Sequence, residues 1–159
     1  ARVEALRARA ASAPRPEATA PATAAERAGM FRSDDADPEQ LTQATLNIVR
    51  NAAQALDATP VSPRICLTTR VARYVTLARK RRRVALALFI EDNGPGIPAA
   101  IRDRIFYPLV SGREGGSGLG LTLAQNFIAQ HHGVIELESA PGRTCFTIVL
   151  PLAEHLASS

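Results

Sequence analysis

Val84-Ala-Leu-Ala-Leu-Phe-Ile-Glu-Asp-Asn-Gly-Pro-Gly-Ile-Pro98 is the stretch from which the fold is read. Its first seven residues are uninterruptedly apolar, the pattern of a strand covered on both faces. Two residues later the run reaches Asp92 and breaks into Asn93-Gly-Pro-Gly96, where glycine and proline end regular structure. A carboxylate delivered by a buried strand into a glycine loop can accept a hydrogen bond from an exocyclic amine, as in a pocket that selects adenine. Gly94 and Gly96 leave room for backbone and ring to approach closely. Taken singly, this D-x-G-x-G pattern is equally compatible with an ordinary Gly-Pro turn.

Upstream, Arg64 to Thr76 alternates as a strand, and Arg79-Lys80-Arg81-Arg82-Arg83 separates it from the apolar run. Those five cations supply much of a formal net charge of +4. They read either as a solvated loop between strands or as an electrostatic docking patch. With no interleaved aromatics and no nucleic-acid motif, no nucleic-acid partner is expected. Further upstream, Asp37-Pro38-Glu39-Gln40 predicts a helix start, with Asp as N-cap, Pro at the first helical position and Gln closing a capping box. This helix runs to about Leu56 or Asp57, burying Leu41, Ile48, Val49, Ala52 and Leu56. A different stripe carries Gln40, Gln43, Asn47, Asn51 and Gln54, a row of amides where Lys and Glu are usual.

Downstream come a short helix near Ala99–Phe106, a glycine-rich loop from Tyr107 to Ser117 and a helix from about Leu119 to His131. A hairpin, Val134–Ser139 and Thr144–Pro151, turns at Ala140-Pro-Gly-Arg143. The element order predicts an α+β two-layer sandwich, a mixed sheet with helices on one face. Residues 1–33 hold twelve Ala and three Pro before residue 30 and read as a tail or linker, partly disordered. Residues 34–153 are the expected domain and 154–159 a short tail. The apolar fraction of 46% supports an aliphatic core. No apolar run reaches the roughly 18–20 residues that span a bilayer, and without a short apolar block near Ala1 no signal peptide is expected. Cys66 and Cys145 lie in strand-like segments without metal-ligand spacing, and both are expected as reduced core residues of a cytoplasmic protein.

Two more blocks carry chemistry. Asn47 and Asn51, four apart, share a helix face, and a neutral amide oxygen suits Mg²⁺ beside phosphate oxygens. Ser111-Gly-Arg-Glu-Gly-Gly-Ser-Gly-Leu-Gly-Leu121 is a loop whose backbone N–H groups can surround phosphate as it enters a helix N-terminus. Within it Arg113 is a candidate γ-phosphate contact. The block is neither a P-loop nor a Rossmann fingerprint.

In this order and on these elements, the three blocks resemble the ATP-binding catalytic domain of sensor histidine kinases in the GHKL superfamily. Asn47–Asn51 is similar to the N box, Asp92–Gly96 to the G1 box, Ile105–Pro108 to the F box and Gly116–Gly120 to the G2 box. Leu46–Ala52, Phe106–Leu121 and Gln130–Gly133 followed by Pro141–Phe146 resemble, more narrowly, nitrogen-regulation kinases of the NtrB type. The resemblance covers about Asp34 to Leu152 and implies the Bergerat fold, ATP with Mg²⁺, and transfer of the γ-phosphate to a histidine. It implies that Asn51 coordinates Mg²⁺, Asn47 supports the phosphates, and Asp92 binds the adenine amine with Thr144 nearby through water. Gly94 and Gly96 would shape the pocket, and Ser111, Gly112, Arg113, Gly116, Ser117, Gly118, Leu119 and Gly120 would close over the phosphates. His131 takes a structural role. The implied partners are a histidine-bearing dimerisation domain, a response regulator of the NtrC type and a nitrogen-status signal protein.

GHKL ATPases such as gyrase carry a Glu general base where Asn47 stands; an amide cannot take that proton. The chain is therefore expected to hold ATP without hydrolysing it quickly. It departs from the family in having Gln54 where a Lys is common. His131, His132 and His155 all lie outside a phosphoacceptor context. Ala/Pro-rich sequence replaces the strand expected before the N box. These departures predict a fragment, or a truncated or frame-altered product, whose acceptor histidine is on another chain or a missing segment. The alternatives are a catalytically silent nucleotide-binding module and the serine-kinase branch of the superfamily.

Overall fold

The computed structural model describes residues 36–57, 62–77, 79–111, 116 and 118–152. The proposed tails, together with Gly112, Arg113 and Ser117, lie outside the described residues.

Helix α1 (Pro38–Leu56) starts where its cap predicts. Asp37 Oδ1 accepts from the Glu39 and Gln40 amides at 2.9 and 3.3 Å, satisfying two of the N–H groups that a helix start leaves unpaired. The reciprocal arm differs from the expected capping box. The Asp37 amide donates to His131 Nε2 at 2.9 Å rather than to Gln40, and Gln40 Oε1 is buried without a partner. His131 Nδ1 in turn contacts the Phe127 carbonyl at 2.6 Å. These two bonds select the neutral tautomer that donates from Nδ1 and accepts at Nε2. His131 thereby ties the end of one helix to the start of another, a structural role.

Strands β1 (Ile65–Leu77) and β2 (Lys80–Asp92) form a long antiparallel hairpin. After β2 come a single helical turn, α2 (Ala99–Arg102), and helix α3 (Gly120–Gln130). Strands β3 (Val134–Ala140) and β4 (Arg143–Pro151) close the sheet in the order β1-β2-β4-β3. The α+β two-layer class holds, but the sheet is not mixed: all three described pairings are antiparallel. Helix α3 carries the chain back, so β3 runs in the same direction as β2. Strand β4 then inserts between the two and turns every contact antiparallel.

Ala44 and Ile48 of α1, Ala124 and Ile128 of α3, and Ile90, Phe146 and Ile148 of the sheet make the main core. Phe106 meets Phe146 edge to face, with ring centroids 6.3 Å apart, a favoured aromatic geometry. Two other expectations change. The basic run is not a loop, because only Arg79 lies in the turn and Lys80 onward already pairs in β2. Cys145 is buried, whereas Cys66 on edge strand β1 is exposed. No helix of the described residues is long and apolar enough to cross a membrane.

Candidate nucleotide site

Asn47, Asn51 and Ala55 follow one another at single-turn intervals along α1, so the distance from Asn47 to Ala55 is about 12 Å at 1.5 Å per residue. The two ends of this line meet different neighbours. At Asn47 the start of α3 approaches, and a Cβ placed on Gly120 would lie 3.9 Å from the Asn47 Cβ. At Ala55 the β2 loop approaches, and a Cβ on Gly94 would lie 3.4 Å from the Ala55 Cβ. Helix α1 thus bridges the glycine-rich helix start and the Asp92 loop.

At the first end, Gln43 Nε2 donates to Asn47 Oδ1 at 3.1 Å. That bond orients the amide and leaves Nδ2 as its free end. Nδ2 is buried and has no partner in the structure, a state that costs roughly 1–3 kcal/mol when nothing compensates it. It is an N–H donor beside the first turn of α3, which has no side-chain cap. The unpaired N–H groups of a helix start favour anions. Both features suit a phosphate oxygen.

At the second end, Asp92 is 3% exposed and ends β2 directly opposite Thr144 of β4. Asp92 Oδ1 accepts the Gly94 amide at 2.9 Å, which fixes the carboxylate. Thr144 Oγ1 lies 3.1 Å from Ser139 Oγ, and Ser139 Oγ accepts the Ile97 amide at 2.8 Å. The loop is also held from behind, where Gly142 N–H donates to the Gly94 carbonyl at 3.0 Å. Gly96 has φ +84°, and a Cβ on it would meet the Ala140 carbonyl oxygen at 2.7 Å. A side chain there is excluded by both conformation and space.

The glycine-rich loop is pinned at its base. The Leu109 amide donates to the Gly118 carbonyl at 3.2 Å, and a Cβ on Gly118 would stand 2.6 Å from the Leu109 carbonyl carbon. Ser111 and Gly116 are exposed within this loop, and Leu119 is the N-cap of α3.

The structure therefore gathers Asn47, Gly118, Leu119 and Gly120 at one end and Asp92, Gly94, Gly96 and Thr144 at the other, with Asn51 midway on α1. Sequence reasoning missed Ser139 and Gln43. Gln43 stood on the same stripe as Asn47, four residues before it. Ser139 was detectable from the hairpin register, since it pairs with Thr144 across a tight turn. Beside the site, Arg143 contacts Glu91 at 2.8 Å and Glu138 at 3.7 Å. Burial lowers its pKa, but the Glu91 hydrogen bond and charge outweigh that effect and hold it above its usual value. A separate groove of about 340 Å³ between α1 and the sheet is lined mainly by Leu41, Leu46, Leu86, Leu88 and Leu150. It is almost wholly apolar and offers a triphosphate nothing.

The family described as histidine kinase-, DNA gyrase B- and HSP90-like ATPases matches residues 36–154. Among curated relatives, the sensory histidine kinase/phosphatase NtrB of Salmonella typhimurium is 55% identical over 116 residues, covering 73% of this chain and 33% of the relative. NtrB of Rhodobacter capsulatus is 44% identical over 124 residues, covering 74% and 33% respectively. The chain spans about a third of the length of the curated relatives it matches. Among solved structures, the mycobacterial sensor histidine kinase MprB superposes with a TM-score of 0.56 at 29% identity, over 73% of this chain and 74% of that one. The catalytic domain of histidine kinase ThkA, free of nucleotide, gives 0.55 at 26% identity, over 73% and 68%. With the motifs in place and the fold matched, the chain belongs to the histidine kinase-, DNA gyrase B- and HSP90-like ATPase family.

Proposed function

We propose that residues 34–153 are the ATP-binding catalytic domain of a cytoplasmic two-component sensor histidine kinase of the nitrogen-regulation type. It transfers the ATP γ-phosphate to a histidine on a dimerisation domain outside this chain. The observation that carries this reading is the orphaned Nδ2 of Asn47, aimed beside an uncapped helix start about 12 Å along α1 from the Asp92 loop. One end has donors for phosphates and the other an acceptor for an amine, at a separation suited to one nucleotide.

Each residue then has a task. Asp92 accepts from the adenine amine, oriented by the Gly94 amide, and Thr144 with Ser139 supports that edge. Gly94 and Gly96 keep the pocket open. Asn47 donates to a phosphate, and Asn51 offers an amide oxygen to Mg²⁺. Ser111, Gly112, Arg113, Gly116, Ser117, Gly118, Leu119 and Gly120 enclose the phosphates, with Arg113 on the γ-phosphate. Mg-ATP supplies the phosphoryl group. Asn47 cannot deprotonate water, so the site protects ATP until the acceptor histidine arrives. The response regulator would be of the NtrC type, and a nitrogen-status signal protein would act on the whole kinase.

The test mixes the purified chain with a separate dimerisation domain bearing the acceptor histidine and γ-³²P-labelled ATP. Acid-labile, base-stable label on that domain is the expected result, with only trace ATPase from the chain alone. Nucleotide binding without transfer would contradict the kinase reading. Hydrolysis at gyrase-like rates would contradict the role given to Asn47.

A further inference from the structure

We propose that the outer end of the β1–β2 hairpin is a docking finger for a carboxylate-rich protein surface, independent of the nucleotide reading. Strand β4 registers with β2 only from Ala85 onward, and the Leu152 amide reaches the Val84 carbonyl, so beyond Val84 the residues Lys80, Arg81 and Arg82 register only with Leu77, Thr76 and Val75. This overhanging ribbon has its own anchor, because Val75 and Leu77 are 3% and 2% exposed and pack with Ala72, Ala85 and Val149. It is therefore a fixed projection.

The ribbon is cationic throughout. Arg73 and the run Arg79–Arg83 crowd onto it, with Arg70 just behind on β1, and six of these seven residues are Arg. Eight Lys or Arg and no Asp or Glu fall between residues 58 and 90. The whole chain has 19 cations and 15 acids, so the remainder carries 11 against 15, a net −4. Among the described residues Arg70, Arg73, Arg79, Lys80 and Arg81 form no ion pair. The ladder tolerates the crowding by placing Lys80, Arg81 and Arg82 opposite Leu77, Thr76 and Val75, and Arg73 opposite Val84. Like charges directly across a ladder destabilise it, and this register avoids them. Concentrating cations without internal partners raises self-repulsion, which an acidic partner relieves. Guanidinium forks pair bidentately with carboxylates, and Tyr74, 61% exposed, adds a large contact at the same place.

Shape and charge favour a compact acidic domain over nucleic acid. Cations stand along the ribbon and at its tip, while the body behind it is net acidic and repels a long polyanion running back over it. The tip is about 40 Å from Asp92 along β2, twelve residues at roughly 3.3 Å each, so a partner seated there leaves the nucleotide site open.

The test measures binding of a fluorescent 20-residue Glu-rich peptide and of a fluorescent 20-base-pair duplex to the full chain. The peptide is expected to bind more tightly than the duplex, with affinity falling as salt rises. Replacing Arg79→Glu, Lys80→Glu and Arg81→Glu together is expected to weaken peptide binding at least tenfold. The neutral triple Arg79→Gln, Lys80→Gln and Arg81→Gln should weaken it less, and serves alone if the reversed triple fails to fold. A control pair far from the ribbon, Arg50→Gln with Arg104→Gln, should bind as the wild type. Tighter binding of the duplex, or peptide binding unchanged in the triple variants, overturns the proposal.

Discussion

Replacing Gly96 by Ala isolates the fit between the Asp92 loop and the β3–β4 hairpin, because Gly142 supplies a matched reference. Both glycines have positive φ, +84° and +81°. A left-handed backbone costs a non-glycine residue about 1–2 kcal/mol, and Gly142→Ala should cost that much alone, since nothing lies within 4 Å of its added Cβ. At Gly96 the added Cβ meets the Ala140 carbonyl oxygen at 2.7 Å and its carbon at 2.9 Å. Those are backbone atoms and cannot rotate away, so displacing them adds roughly 1–3 kcal/mol. Urea unfolding followed by circular dichroism should place Gly96→Ala at about 2–5 kcal/mol below the wild type. At roughly 4 °C per kcal/mol for a domain of this size, the difference is also readable in Tm. The strain acts on the loop that holds Asp92 and Gly94, so ADP affinity should fall further in Gly96→Ala than in Gly142→Ala. Equal stability and equal ADP binding in the two variants would refute the packing argument.

Three other outcomes follow from the same geometry. Asn47→Asp puts a carboxylate where the proposed phosphate donor stands and should weaken Mg-ADP binding by ten- to a hundredfold, a loss of about 1.5–3 kcal/mol, read by isothermal titration calorimetry. Gln43→Ala frees the Asn47 amide to turn; it should lower nucleotide affinity by a few-fold, about 1 kcal/mol or less, with little change in Tm. His131→Ala removes the bonds to Asp37 and Phe127 and should destabilise by about 1–2 kcal/mol at roughly 1 kcal/mol per bond, while nucleotide affinity at low temperature stays near wild type.

Local signals were legible wherever one residue's chemistry settles a local question. Asp37-Pro38 marked the start of α1 because capping needs only neighbours in sequence. The second arm of the cap was not legible, since His131, 94 positions away, displaced the neighbouring Gln40. The sheet was misread as mixed because the sequence does not show that β4 inserts between β2 and β3. Lys80–Arg83 looked like a loop because solvated cations dominate it, yet the pairing of Lys80, Arg81 and Arg82 to Leu77, Thr76 and Val75 makes it strand. At the site, Asn47, Asp92 and the glycines stood out by type and spacing. The roles of Gln43 and Ser139 depended on rotamer and register, which composition does not report.

In the proposed site Asp92 reads adenine at one end of α1 and Asn47 meets phosphate at the other. The most direct measurement is calorimetric titration of ADP with Mg²⁺ into the wild-type chain and into Asp92→Asn, which keeps an oxygen for the Gly94 amide and loses the charge. One bound nucleotide per wild-type chain and at least tenfold weaker binding by a folded Asp92→Asn are predicted. Absence of binding to the wild type, or equal affinity in the two, would contradict the account.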